Sequence, residues 1–468
     1  MAAKAKSKSK KNSAGRKTSH LNGGGLAPEY PRILVPPPGP NARKIIKKDA
    51  SYSSTSYAKV YPLVVSHGEG AMVQDVDGNR FIDFMAGIAV ASTGYADPRV
   101  VGAVQTAAGK FFSMCSTDWY YEGFSDLCER LAKSVPGESK KRVFLTNSGT
   151  EAVEGAIKLV RSSTKRTSLI AFRRAFHGRS YGAMSLTSSK AVQRAFFMPM
   201  LPGVHHVDFP DPYRTVYDRR RFKSVTEHCI SQIHEDLFQR QVLPENVAAI
   251  FVEPMLGEGG YVIPPVEFIR ALRKLCDQHG ILLVFDEIQT GVGRTGKMWA
   301  AEYFGVEPDV LLSAKGIASG MPIGAIIAKE SVMKWKPGSH GSTFGGNPLS
   351  CAAALQTVDI VEKELLPNVR KMGARIMAGL GRLERKFEII GDVRGVGLFI
   401  GVEFVKDRRT KEPAKAFVND LMQRAFRKGL LLLSCGESVI RIAPPLSIDA
   451  YAVDRGLEIL EECLQELT

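Results

Sequence analysis

Five apolar residues, Ile281-Leu282-Leu283-Val284-Phe285, run directly into two acids, Asp286 and Glu287. A short apolar run without alternation fits a strand buried on both faces, and the sudden change to acids marks its end. Comparable runs at 142–146, Ser168–Phe172, 248–252, 310–314 and 324–328 alternate with helical stretches at 149–160 and Val266–His279. This alternation predicts an α/β chain whose mostly parallel sheet is covered by helices on both sides. Beyond residue 378 a second alternation begins. Strand-like 397–404 and 430–434 flank a helix near 415–428, and a final helix starts at Asp449, a residue suited to N-capping. We expect a small α+β domain made from residues 379–468 and 41–100, beside a large domain over residues 101–378.

The length of 468 residues exceeds one ordinary domain. With 44% hydrophobic and 24% charged residues, the chain is neither fibrous nor wholly disordered, and no run of 18 apolar residues suggests a membrane span. The formal charge of +15 is unevenly placed. Residues 1–50 hold 12 Lys/Arg against Glu29 and Asp49, so ten of the fifteen excess charges lie there. Basicity therefore belongs to a tail, read over residues 1–40 as a solvated segment with a Pro-rich spacer at Pro36-Pro37-Pro38. It lacks the apolar centre of a secretory signal. A transit peptide stays open, although Lys outweighs Arg and no amphipathic stripe is visible. Such a tail could bind nucleic acid by counterion release, but the body is not a nucleic-acid-binding fold by charge. The seven cysteines include no CxxC pair, which favours reduced thiols over disulfides or a zinc site and points to a cytoplasmic setting; no metal is expected.

In an open parallel sheet, ligands bind at the carboxyl ends of strands. Asp286 ends one strand there, and Lys315 ends another in Leu311-Leu312-Ser313-Ala314-Lys315-Gly316. Each has an ordinary alternative, a cap for the carboxylate and a snorkelling surface position for the lysine. Part-buried, the lysine would lose pKa to desolvation and become a nucleophile. An acid and a lysine closing neighbouring strands suit pyridoxal phosphate, which needs a lysine to join its aldehyde and an acid to keep its ring nitrogen protonated. Thr146-Asn147-Ser148-Gly149-Thr150-Glu151-Ala152 lies between a strand and a helix, where a phosphate could sit on the helix N-terminus; an N-cap is the plainer reading. Gly341-Ser342-Thr343-Phe344-Gly345-Gly346-Asn347-Pro348 has similar chemistry, and Phe176 in Ala175-Phe176-His177-Gly178-Arg179 offers a flat face to a ring.

Together these motifs resemble the class-III pyridoxal-phosphate aminotransferases, the group of the 4-aminobutyrate, ornithine and acetylornithine enzymes. The resemblance runs from about Tyr61 to the C-terminus. It rests most firmly on Leu283-Val284-Phe285-Asp286-Glu287-Ile288-Gln289-Thr290-Gly291-Val292-Gly293-Arg294-Thr295-Gly296, Ser313-Ala314-Lys315-Gly316-Ile317 and Ser342-Thr343-Phe344-Gly345-Gly346-Asn347-Pro348.

The resemblance implies an aspartate-aminotransferase-like (fold type I) large domain with pyridoxal 5'-phosphate as cofactor. Lys315 would tether the cofactor and shuttle a proton, and Asp286 would keep the pyridine nitrogen protonated. Gln289 would bond the phenolic oxygen, Phe176 and His177 would lie at the ring, and Ser148, Gly149 and Thr150 would hold the phosphate. Thr343 would reach the phosphate of a neighbouring subunit, making a homodimer. Glu258, in Glu253-Pro254-Met255-Leu256-Gly257-Glu258, resembles the family's switch glutamate. Arg441, in Val439-Ile440-Arg441-Ile442, resembles the arginine that clamps an α-carboxylate. A salt bridge that only joins domains is the alternative for this pair. Arg179 is a candidate for a distal carboxylate, and Ile88 resembles a pocket position of 4-aminobutyrate-type members. The implied reaction carries the amine of an ω-amino or basic amino acid to 2-oxoglutarate; racemisation and N-acetylornithine transamination are the alternatives. The chain departs from a Gly-His-x-His-Pro pattern, having Gly94-Tyr95-Ala96-Asp97-Pro98 instead.

Overall fold

The computed structural model describes residues 31–468. Of the tail and spacer read over residues 1–40, residues 1–30 lie outside the described residues; residues 31–40 are held against the body, Arg32 bridging Arg80 and the Leu34 and Val35 amides donating to Asn79 Oδ1 at 2.8 and 2.9 Å. Seven strands form the central sheet in the order Lys141–Thr146, Gly324–Lys329, Val310–Ser313, Leu282–Asp286, Val247–Val252, Ser168–Phe172, Val204–Val207. Only Gly324–Lys329 runs against its neighbours; the others pair in parallel where they meet. The unbroken apolar runs are explained by burial. Val247–Val252 and Ser168–Phe172 are buried at every position, as a sheet covered on both faces requires. Helix Val266–His279 turns Phe268, Ile269, Leu272, Leu275 and Cys276 into that core and ends at Gly280 in left-handed backbone.

Two four-stranded sheets flank this one. The first joins Ile390–Val396, Phe399–Phe404, Val439–Ile442 and Leu433–Cys435. The second joins Val65–Glu69, Met72–Asp75, Arg80–Asp83 and Leu430–Leu431. The expected strand at 430–434 is thus two short strands in different sheets. Its break lies at Leu432, whose carbonyl accepts a 2.6 Å bond from the Tyr61 hydroxyl instead of a ladder bond. Strand Ile390–Val396 escapes sequence reading because most of its residues are half-buried and it carries Asp392 and Arg394. The final helix, Ala450–Leu467, is capped as expected, with the Asp449 carboxylate accepting from the Ala452 amide at 2.8 Å.

All seven cysteines are unpaired thiols. Among the described residues no helix is long and apolar enough to cross a membrane.

Candidate active site

Asp286 is the last residue of its strand and pairs in register with Leu312 of the adjacent parallel strand. Three residues on, the chain leaves that strand. Lys315 adopts a positive φ of 42° and opens a short turn, Lys315–Ala318. Two neighbouring strand ends thereby deliver an acid and an amine to one cavity of about 430 Å³. Ser148, Gly149, Thr150, Phe176, His177, Arg179, Glu258 and Gln289 line the same cavity.

The two acids of the strand end separate. Asp286 faces the cavity, its Oδ2 2.7 Å from His177 Nδ1 and its Oδ1 accepting from the Ile288 amide at 3.1 Å. Glu287 turns away and accepts from the amides of Ala300 and Ala301 and the hydroxyl of Thr290. Burial pushes the Glu287 carboxyl up to about 7. It anchors the helix Ala300–Phe304 and takes no part in the cavity.

Burial pulls the His177 pKa down, but the Asp286 carboxylate outweighs this and holds it above the usual imidazole value. His177 Nε2 and Gln289 Oε1 are buried polar atoms without hydrogen-bond partners. Burial lowers the pKa of Lys315, while Asp286 and Glu253 oppose the shift. The amine is therefore biased toward its neutral, nucleophilic form. Glu253 follows the strand Val247–Val252 and also lines the cavity. It accepts from the amides of Phe176 at 2.8 Å and Gly257 at 2.9 Å, and burial pushes its carboxyl up to about 7.

At the other end of the cavity begins the 16-residue helix Gly149–Thr164, with Ser148 as N-cap accepting from the Glu151 amide. The helix N-terminus gives an anion a favourable seat. Thr150 Oγ1 lies 2.6 Å from Ser180 Oγ. A Cβ on Gly149 would come within 2.9 Å of the Ile288 side chain, so any larger residue would push that side chain aside. The amine, the acid, the Gln289 side-chain amide with its NH2 donor, and the helix N-terminus match the aldehyde, pyridine nitrogen, phenolic oxygen and phosphate of pyridoxal phosphate.

Arg441, 5% exposed and not itself among the lining residues, places Nη1 3.1 Å from Glu258 Oε2. Arg179 is exposed at the mouth, with its guanidinium 5.9 Å from the Phe176 ring centre. Ile88 is not among the lining residues. It is 39% exposed within a turn where Ala86, Gly87, Ile88 and Ala89 all have positive φ; Val90 reaches the cavity instead. Thr343 is exposed and does not line the cavity of its own chain. The stretch lacking the histidines is structural. Tyr95 donates to Asp83 at 2.6 Å, and Asp97 caps the helix Pro98–Ala108.

Sequence reading did not bring Glu253, Ser180 and Lys190 next to these residues. Glu253 stands at a strand end, so the rule that found Asp286 applies to it. Lys190, 2.7 Å from Glu258 Oε1, gives no such signal, because its partner is 68 residues away.

The sequence profile described as aminotransferase class-III matches residues 52–464. The chain is 40% identical to an alanine/serine racemase of Pyrococcus horikoshii, covering 94% of this chain and 93% of the relative. It is 39% identical to the 5-aminovalerate aminotransferase DavT of Pseudomonas aeruginosa, covering 90% and 98%. A crystal structure of an amine transaminase from an uncultivated Pseudomonas species, in its pyridoxal-phosphate-bound form, superposes with a TM-score of 0.81 at 30% identity, covering 89% of this chain and 98% of that one.

Proposed function

Because the chain belongs to the class-III aminotransferases, with pyridoxal phosphate as their cofactor, we propose that it moves the amine of an ω-amino or basic amino acid, of 4-aminobutyrate or ornithine type, to 2-oxoglutarate. The observation that carries this reading is the delivery of Lys315 and Asp286 into one cavity by adjacent strand ends. Bound there, pyridoxal phosphate supplies the electron sink that lets a proton leave the carbon bearing the amine.

Lys315 tethers the cofactor and then moves that proton, as base in one direction and acid in the other. Its burial-lowered pKa supports the base role. Asp286, oriented by His177, keeps the pyridine nitrogen protonated. Of the residues lining the cavity, Gln289 would hold the phenolic oxygen, Phe176 would pack on the ring, and Ser148, Gly149 and Thr150 would seat the phosphate. Arg441 clamps an α-carboxylate when Glu258 releases it, and Arg179 meets a distal carboxylate at the mouth. Val90, two residues after Ile88, lines the cavity in its place.

We read the working unit as a homodimer in which Thr343 serves the partner's phosphate. The exposure of the aromatic side chains Phe112, Trp119, Tyr120 and Phe344 supports this, since the Ser116 hydroxyl donates to the Gly345 carbonyl at 2.9 Å and so joins their two segments. The pairing of Leu430–Leu431 with Arg80–Asp83 supports the assignment of residues 41–100 and 379–468 to one small domain. The unpaired thiols support a reducing, cytoplasmic setting.

A panel of 4-aminobutyrate, ornithine, N-acetylornithine and lysine with 2-oxoglutarate tests the reading. Glutamate should form with 4-aminobutyrate or ornithine; its absence with every donor would sink the proposal. The 40% identity to a racemase supports a second reading, reprotonation of an α-amino acid on the opposite face. Accumulation of D-isomer from a single L-amino acid, without any oxoacid, would select it.

A further inference from the structure

We infer that Lys190, already in contact with Glu258, keeps that carboxylate paired when a substrate α-carboxylate takes Arg441. The inference rests on the amino-transfer reading above. Glu258 is shared between two cations, one oxygen each. Its Oε1 is 2.7 Å from Lys190 Nζ and its Oε2 is 3.1 Å from Arg441 Nη1.

The charges do not balance within this cluster: one carboxylate faces two cations. An arriving α-carboxylate supplies the second negative charge, and each anion then has its own cation. Without Lys190, the substrate and Glu258 would compete for one guanidinium, leaving a part-buried carboxylate unpaired, which is costly. The Arg441 side chain is 6% exposed and that of Lys190 40%, so a carboxylate moving toward Lys190 moves toward water. The backbone around both partners is held while the side chain swings. The Glu258 carbonyl accepts from the Gly436 amide at 2.8 Å, and the Ser188 amide donates to Ala175 at 2.8 Å two residues before Lys190. Lys190 touches neither cofactor nor substrate in this scheme; it is a positioning residue that sets how readily Arg441 becomes available.

The test compares Lys190→Met and Lys190→Arg holoenzymes with the unaltered protein, following each half-reaction separately by cofactor absorbance. The KM for 2-oxoglutarate should rise about tenfold in Lys190→Met, with kcat moving less than about twofold. The KM for the best ω-amino donor of the panel should move less than about twofold, because such a donor leaves Glu258 on Arg441. Lys190→Arg should restore the acceptor KM. Lys190 is exposed enough for both variants to fold, and Lys190→Gln provides a second neutral replacement. Equal shifts in both half-reactions, or none in either, would overturn the inference. Failure of the unaltered protein to react with 2-oxoglutarate would instead overturn the amino-transfer reading, and this inference with it.

Discussion

Replacing Asp286 by Asn removes one charge and almost no volume, and its consequences can be worked out from the contact with His177. At 2.7 Å and an effective dielectric of about 20, a unit-charge pair is worth about 6 kcal/mol before desolvation. Burying the imidazolium takes part of this back, and removing one partner of a buried pair costs about 3–5 kcal/mol in practice. Asparagine keeps an oxygen for the Nδ1 proton, so a loss of about 3 kcal/mol is expected where the imidazole is charged. The sign follows from the raised His177 pKa. That stabilisation is complete below the unfolded value of about 6.5 and is lost as pH rises through the higher folded value. The variant should therefore be most destabilised on the acid side and approach the parent in alkali. Turnover should fall about a thousandfold, because a neutral amide no longer holds the ring nitrogen protonated, a deficit of about 4 kcal/mol. Calorimetric melting between about pH 5.5 and 8.5 and glutamate formation at saturating donor are the assays. Parallel melting curves across that range, together with turnover within tenfold of the parent, would refute the reasoning.

Lys315→Ala should stay folded but lose its covalently held yellow cofactor and its turnover, both read from one absorbance spectrum and one assay. Arg441→Ala should lower kcat/KM for 2-oxoglutarate by about 2–4 kcal/mol, the cost of truncating a buried charged partner; an unchanged acceptor KM would count against the clamp. Glu287→Ala strands the Ala300 and Ala301 amides and the Thr290 hydroxyl, and should lower stability by about 3–5 kcal/mol in denaturant melts. Activity per folded molecule should stay within about twofold, which separates Glu287 from its neighbour Asp286.

Much of the cofactor side is legible in the sequence because local rules reach it. Apolar runs end where the sheet ends, so Asp286 and Lys315 stand out, and a small-residue turn before a helix marks Ser148, Gly149 and Thr150. The same logic could have placed Glu253. What stays hidden depends on contacts distant along the chain. The sharing of Glu258 between Lys190 and Arg441 joins residues 190, 258 and 441, and no local spacing announces it. At the break that divides 430–434 between two sheets, the Leu432 carbonyl is bonded by Tyr61, 371 residues earlier in the chain. Ile88 reads as an ordinary apolar residue, yet four consecutive positive φ angles turn it outward, a conformation that local propensity argues against.

The reversed strand Gly324–Lys329 determines how adaptable this pocket is. Because it runs against its neighbours, its beginning shares an edge with their ends. The chain therefore leaves Lys315, turns, and re-enters the sheet by way of Met321, Pro322 and Ile323, which form part of the cavity wall. At Gly324 a Cβ would collide with Thr146 Oγ1 and the Ser148 carbonyl, so the return is clamped to the loop that begins the phosphate-side helix. Reactive amine, wall and anion seat are thus tied into one short loop of chain. Insertions there would disturb all three together, and diversification of substrate range is left to the separate segments that carry Glu258, in the turn after Val247–Val252, and Arg441, on the strand Val439–Ile442.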